Sequence, residues 1–259
     1  MIILTKRNLQ GLKIISENLL DINIMEIKFN GSEAEIPDIV DSDYYHYFYT
    51  LLKAIELVSY AKYVSNAGNH AISDVKGVEI KIGELLERTF AYELYRQWLN
   101  LLEDEGSELT VNAEVAKEMS LMPTVDAFHQ IMNGTTKYPD LILHKSHNNL
   151  KYNTFVCEIK RHEGMIYEDV VLDISKLCAF LSHQIWGDNP YKYGFFIVIR
   201  DELDSIKSVL ESARRSNAYV FYTELKKDKI ELFKKIICIS YNDNTITYDN
   251  LFNILNLES

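Results

Sequence analysis

The chain has 259 residues, of which 47% are hydrophobic and 25% charged, and its 27 basic and 38 acidic side chains leave a net charge of −11. This balance suits a globular protein with a sizeable core. It excludes a membrane-spanning chain, since no apolar run is long enough to cross a bilayer, and a protein that coats nucleic acid with a broad basic face.

Met1–Leu4 and Ile22–Phe29 are short β-like runs around a candidate helix, Asn8–Leu20. Residues 31–43 are polar and acidic and are expected to form a loop. Residues 44–66 have helical spacing, with Tyr45, Phe48, Leu51, Leu52, Ile55, Val58 and Ala61 near one face. The polar stretch Ser65–Asp74 is the best internal boundary. It predicts a mostly helical N-terminal region over residues 1–75 and a second domain over 76–259.

A strong helix runs from Ile80 to about Leu102, followed by a short strand, Glu108–Val115. A weakly patterned loop leads to two strands, Tyr138–Lys145 and Lys151–Arg161, around the turn His147-Asn148-Asn149. A helix over Tyr167–Ile185 comes next. The continuous apolar run Tyr193–Arg200 is expected to be a strand buried on both faces. A helix, Asp201–Ser216, and a strand, Ala218–Thr223, complete the order. This alternation predicts an α/β fold with a mixed central sheet flanked by helices.

Three widely spaced cysteines, Cys157, Cys178 and Cys238, form no Cys-x-x-Cys pair, which excludes a structural zinc site of that type. An odd cysteine count with no signal peptide points to the reducing cytoplasm. The acidic group Glu33, Glu35, Asp38, Asp41 and Asp43 and the basic group Lys226, Lys227, Lys229, Lys234 and Lys235 suit solvated faces.

The chemistry gathers on the hairpin. Pairing about Asn148 and Asn149 sets residue 140 opposite residue 157, so Asp140 lies beside Glu158 within one residue of register. Glu158 and Lys160 share a face because side chains alternate along a strand, while Phe155, Cys157 and Ile159 turn to the other face. Two carboxylates and an ammonium at one hairpin end suit phosphodiester hydrolysis. Carboxylates hold Mg²⁺ through oxygen, a bound water becomes the nucleophile, and the cation offsets charge on the phosphate. Lys160, beside two carboxylates, is expected to stay protonated and to act electrostatically.

Glu-x-Lys is a cheap pattern. It recurs at Glu26–Lys28, Glu79–Lys81 and Glu224–Lys226. Only Glu158–Lys160 ends an apolar strand and follows a Pro-Asp at hairpin distance. Glu87 adds to the group. At about 100° per residue it falls in the middle of the stripe Phe90, Ala91, Leu94, Trp98 and Leu101, where a carboxylate needs a partner. A metal site or Lys160 would serve, as would a buried Arg or a backbone amide.

Glu87 on a helix, Pro139-Asp140, and Glu158-Ile159-Lys160, in the order helix, strand, strand, strand, helix, strand, resemble the PD-(D/E)XK nuclease superfamily. The resemblance covers residues 80–225 and implies a restriction-endonuclease-like fold. It implies that Asp140 and Glu158 ligate Mg²⁺, with Mn²⁺ able to substitute, and that the Ile159 backbone carbonyl is a further ligand. Glu87 would contribute directly or through water, with Glu84 and Glu93 as fallbacks, and Lys160 would assist the attacking water. Asp169, Asp173, Lys176 and Gln184 lie on the following helix, where members of the superfamily often place substrate-facing polar residues. The expected function is a Mg²⁺-dependent nuclease acting on nucleic acid, with DNA favoured. A nuclease-fold module that binds or regulates without cutting is the alternative. So is a nuclease subunit whose grip on DNA comes from a protein partner or a homodimer.

Overall fold

The computed structural model describes residues 27–29, 32–34, 39–59, 82–113, 139–145, 150–161, 165–212 and 229–257. Its contacts divide the chain into two units, Met1–Ile39 and Val40–Ser259. In the first, β1 (Ile27–Phe29) and β2 (Ser32–Ala34) form an antiparallel hairpin, so part of the expected loop over 31–43 is strand. The predicted elements Met1–Leu4, Asn8–Leu20 and Ala218–Thr223 lie outside the described residues.

The second unit carries α1 (Ser42–Leu57), α2 (Ile82–Asp104), β3 (Thr110–Ala113), β4 (Leu141–His144), β5 (Phe155–Arg161) and α3 (Tyr167–Leu181). It continues with α4 (His183–Trp186), β6 (Tyr193–Ile199), α5 (Leu203–Ser212), β7 (Ile236–Asn242), β8 (Thr245–Asn250) and α6 (Leu251–Ile254). Helix α1 thus falls in the same unit as the sheet. The reason is packing: α1 presents Phe48, Leu51, Leu52 and Ile55 to the core. Phe48 stacks on Phe195 of β6 at 5.6 Å, and Trp98 of α2 donates to the Thr50 hydroxyl of α1 at 3.1 Å.

Six strands form one mixed sheet in the order β3-β4-β5-β6-β7-β8. β3, β4 and β5 pair antiparallel, β5, β6 and β7 parallel, and β8 returns antiparallel to β7. β6 is buried along its whole length, as its unbroken apolar run requires for a strand covered on both faces. β7 and β8 were not expected from the sequence. Ile236–Ile239 is the same kind of apolar run, and Asp243 and Asn244 take positive φ in the turn that follows.

The sheet has two covered faces. Phe155, Phe195 and Tyr241 meet Phe48 of α1 and Phe90 and Trp98 of α2. On the other side, Val156, Phe196, Val198 and Cys238 share a core cluster with Val170, Ile174 and Leu177 of α3 and Ile206 and Leu210 of α5. Gly194 in β6 permits that approach. A Cβ there would meet the Leu177 side chain at 3.3 Å. Among the described residues no helix is long and apolar enough to cross a membrane.

Candidate active site

The hairpin brings its acidic ends together. The ladder pairs Leu141 with Cys157, one residue from the register expected, and this sets Asp140 beside Glu158. Asp140 stands just before β4. Its N–H donates to the Cys157 carbonyl at 3.1 Å, and its Oδ2 accepts from the Ile159 N–H at 2.7 Å. The carboxylate thus takes over where the ladder stops. The N–H and C=O of one strand residue point to the same side, so the Ile159 carbonyl also faces the Asp140 side.

Parallel pairing sets Glu158 opposite Phe196 and Lys160 opposite Val198. Both side chains therefore lie on the face covered by α3, and Phe155, Cys157 and Ile159 lie among the aromatic and apolar residues of the other face. Cys157 is no nucleophile: burial, then the charges of Asp140 and Glu158, push its thiol up.

Lys160 Nζ lies 3.6 Å from Glu87 Oε1 and 3.2 Å from Asp173 Oδ2. Glu87 comes from the N-terminal part of α2, whose next turns are anchored by the buried residues Phe90, Leu94, Trp98 and Leu102. Of the expected stripe, Ala91 and Leu101 are only half-buried, because the seam follows an i, i+4 row. Glu93 is occupied on its own helix, accepting from Arg96 Nε at 3.0 Å and Gln97 Nε2 at 2.7 Å. The side chains of Glu84 and Gln184 lie outside the described residues.

Two residues of α3 complete the group. Lys176 Nζ donates to Glu158 Oε2 and lies 2.7 Å from Asp173 Oδ1. Asp173 therefore bridges both ammonium groups, one through each oxygen. Sequence reasoning placed Asp173 and Lys176 among polar residues of this helix without singling them out. Their signal was a charged i, i+3 pair inside a mostly apolar helix. Asp169 is half-buried, with no contact to the site among those described.

These contacts set the electrostatics. Burial, opposed by the Lys160 charge and reinforced by Asp140 and Asp173, pushes Glu87 up to about 7. Burial likewise raises Asp140 to about 6, against the pull of Lys176 and the Ile159 N–H. Glu158 lies well above the carboxylate range, chiefly through burial. Burial works against the charge of each lysine, but Asp173 and Glu87 around Lys160, and Glu158 and Asp173 around Lys176, outweigh it and raise both.

The donor set is all oxygen, as a hard cation requires. Among the described residues Glu158 Oε1 is buried without a hydrogen-bond partner, an oxygen that could take a cation. Against this, among the described residues no three His, Cys, Asp or Glu side chains are grouped so as to hold an ion. Glu87 and Glu158 each face an ammonium, and backbone N–H groups reach Glu87 from Arg161 and Asp140 from Ile159.

Other features are bland. His183 Nδ1 lies 2.8 Å from the Gly187 carbonyl, and His144 Nε2 lies 2.7 Å from Asn112 Nδ2. Lys234 pairs with Glu231 at 3.1 Å and lies 5.0 Å over the Phe252 ring. Lys226, Lys227, His147 and His162 lie outside the described residues.

No family model, no curated protein and no solved structure matches this chain.

Proposed function

We propose that this chain is a divalent-metal-dependent nuclease of the PD-(D/E)XK type, with DNA the favoured substrate. One observation carries the reading. Asp140 at the start of β4, Glu158 and Lys160 toward the end of β5, and Glu87 on α2, the four residues the sequence singles out, lie in one group. A carboxylate held by the backbone, another with an orphaned oxygen, and a persistent ammonium are what phosphodiester hydrolysis asks of a protein site.

In this reading Asp140, Glu158 and the Ile159 carbonyl hold Mg²⁺ or Mn²⁺, with Glu87 contributing directly or through water. The bound cation supplies an activated water and offsets charge on the phosphate. Ile159 fixes Asp140 through its N–H. Lys160 keeps its proton and donates to the attacking water or to a phosphate oxygen. Asp173 and Glu87 fix the position of that ammonium.

A second reading has one observation in its favour: lysines hold two of the expected ligands. The chain would then be a nuclease-fold module that binds without cutting, or a subunit that needs a partner to open its site. Plasmid, linear and single-stranded DNA, and RNA, incubated with Mg²⁺ or Mn²⁺ alongside Asp140→Ala and Lys160→Ala, separate these. Cleavage lost in both variants is expected. No cleavage by the wild type rejects the stand-alone enzyme, and equal cleavage by all three rejects the site.

A further inference from the structure

Lys176 is buried, and the carboxylate it holds is only 2% exposed. A carboxylate so far from water has to be neutralised or paired. The same ammonium also contacts Asp173, one turn earlier on α3. Glu158 therefore has one oxygen on Lys176 and, among the described residues, no hydrogen-bond partner for the other.

We propose that Lys176 is an exchangeable counter-ion of Glu158, occupying the charge position of the divalent cation and passing to Asp173 alone when that cation binds. The inference rests on the metal-centre reading above. It explains a site with the right donors but no open ligand cluster.

Charge supports it first. Four carboxyl groups, Glu87, Asp140, Glu158 and Asp173, lie around two ammonium groups, Lys160 and Lys176, so the group keeps acidic oxygen in excess of the cations that face it. Release is also inexpensive. Lys176 keeps its 2.7 Å contact to Asp173 when it leaves Glu158, so no bare ammonium is buried. Among the described residues Glu158 Oε1 keeps no hydrogen-bond partner, so Lys176 satisfies only one oxygen of this carboxyl group.

The test is Mn²⁺ binding to the full chain, read by electron paramagnetic resonance of the free ion, for wild type, Lys176→Met, Lys160→Met and Asp140→Ala. Lys176→Met is expected to bind about tenfold more tightly than wild type. Lys160→Met takes away the same charge but frees Glu87 and Asp173 rather than Glu158, and is expected to raise affinity by clearly less than Lys176→Met does. Equal or weaker binding by Lys176→Met, or an equal gain in Lys160→Met, overturns the exchange. The wild type gives an independent answer through ¹⁵N-lysine ammonium resonances, with that of Lys176 assigned by its loss in Lys176→Arg. It is expected to shift on Mg²⁺ titration, and a resonance unmoved at saturation overturns the proposal. Asp140-dependent Mn²⁺ binding and cleavage without a gain in Lys176→Met removes the exchange and leaves the nuclease reading standing. Absence of Mn²⁺ binding in every form, together with absence of cleavage, removes both.

Discussion

Glu87 gives the most direct physical test of the site, because its titration is coupled to folding. Its carboxyl rises from an ordinary 4.5 to about 7, first through burial. The folded chain thus keeps a proton that the unfolded chain releases across that window. Proton binding is greater in the folded state there, so stability falls as pH rises from about 4.5 to about 7. At about 1.4 kcal/mol per decade, the effect is about 3 kcal/mol at its upper limit. Glu87→Gln removes the titration, and the value of about 7 already contains the opposing pull of Lys160, 3.6 Å away. The variant is therefore expected to be up to about 3 kcal/mol more stable than wild type at pH 8. At pH 4 the two are expected to agree within about 0.5 kcal/mol, since both side chains are then neutral. Urea unfolding without divalent cations, repeated from pH 4 to 8, measures this directly through the midpoint and slope. Parallel stability curves for the two proteins would refute the claim that Glu87 is buried beside the other carboxylates.

Asp140→Asn keeps an acceptor for the Ile159 N–H but loses the charge, so cleavage of plasmid DNA is expected to fall by about 10³-fold while the folded circular dichroism spectrum persists. Lys160→Met is expected to cost about 10²–10³ in kcat, read in the same assay at saturating Mg²⁺. Tyr241→Phe leaves the Val58 carbonyl without its 2.8 Å donor and should cost about 1–2 kcal/mol in denaturant unfolding, since this bond ties the end of α1 to β7. Gly194→Ala forces a Cβ to 3.3 Å from Leu177, next to Lys176, and is expected to cost about 1–3 kcal/mol by the same measurement.

The sequence alone determined what depends on short-range periodicity. Alternation along β5 placed Glu158 and Lys160 on one face, the apolar run Tyr193–Ile199 marked a strand buried on both sides, and the hairpin spacing brought Asp140 to Glu158 within one residue. Helical spacing likewise gave Glu87 a place above its buried turns. Tertiary structure decided what depends on contacts between distant segments. Helix α1 joined the sheet unit because its apolar face finds Phe195 and Trp98, contacts no local pattern announces. Strands β7 and β8 were missed because the resemblance ended before them, although Ile236–Ile239 carries the signal of a buried strand. The roles of Asp173 and Lys176 belong to tertiary structure most of all. A charged pair three residues apart on a helix is ordinary on a surface. Only the packing of α3 on β5 and β6 buries it against Glu158 and Lys160, where loss of water makes its charges decisive.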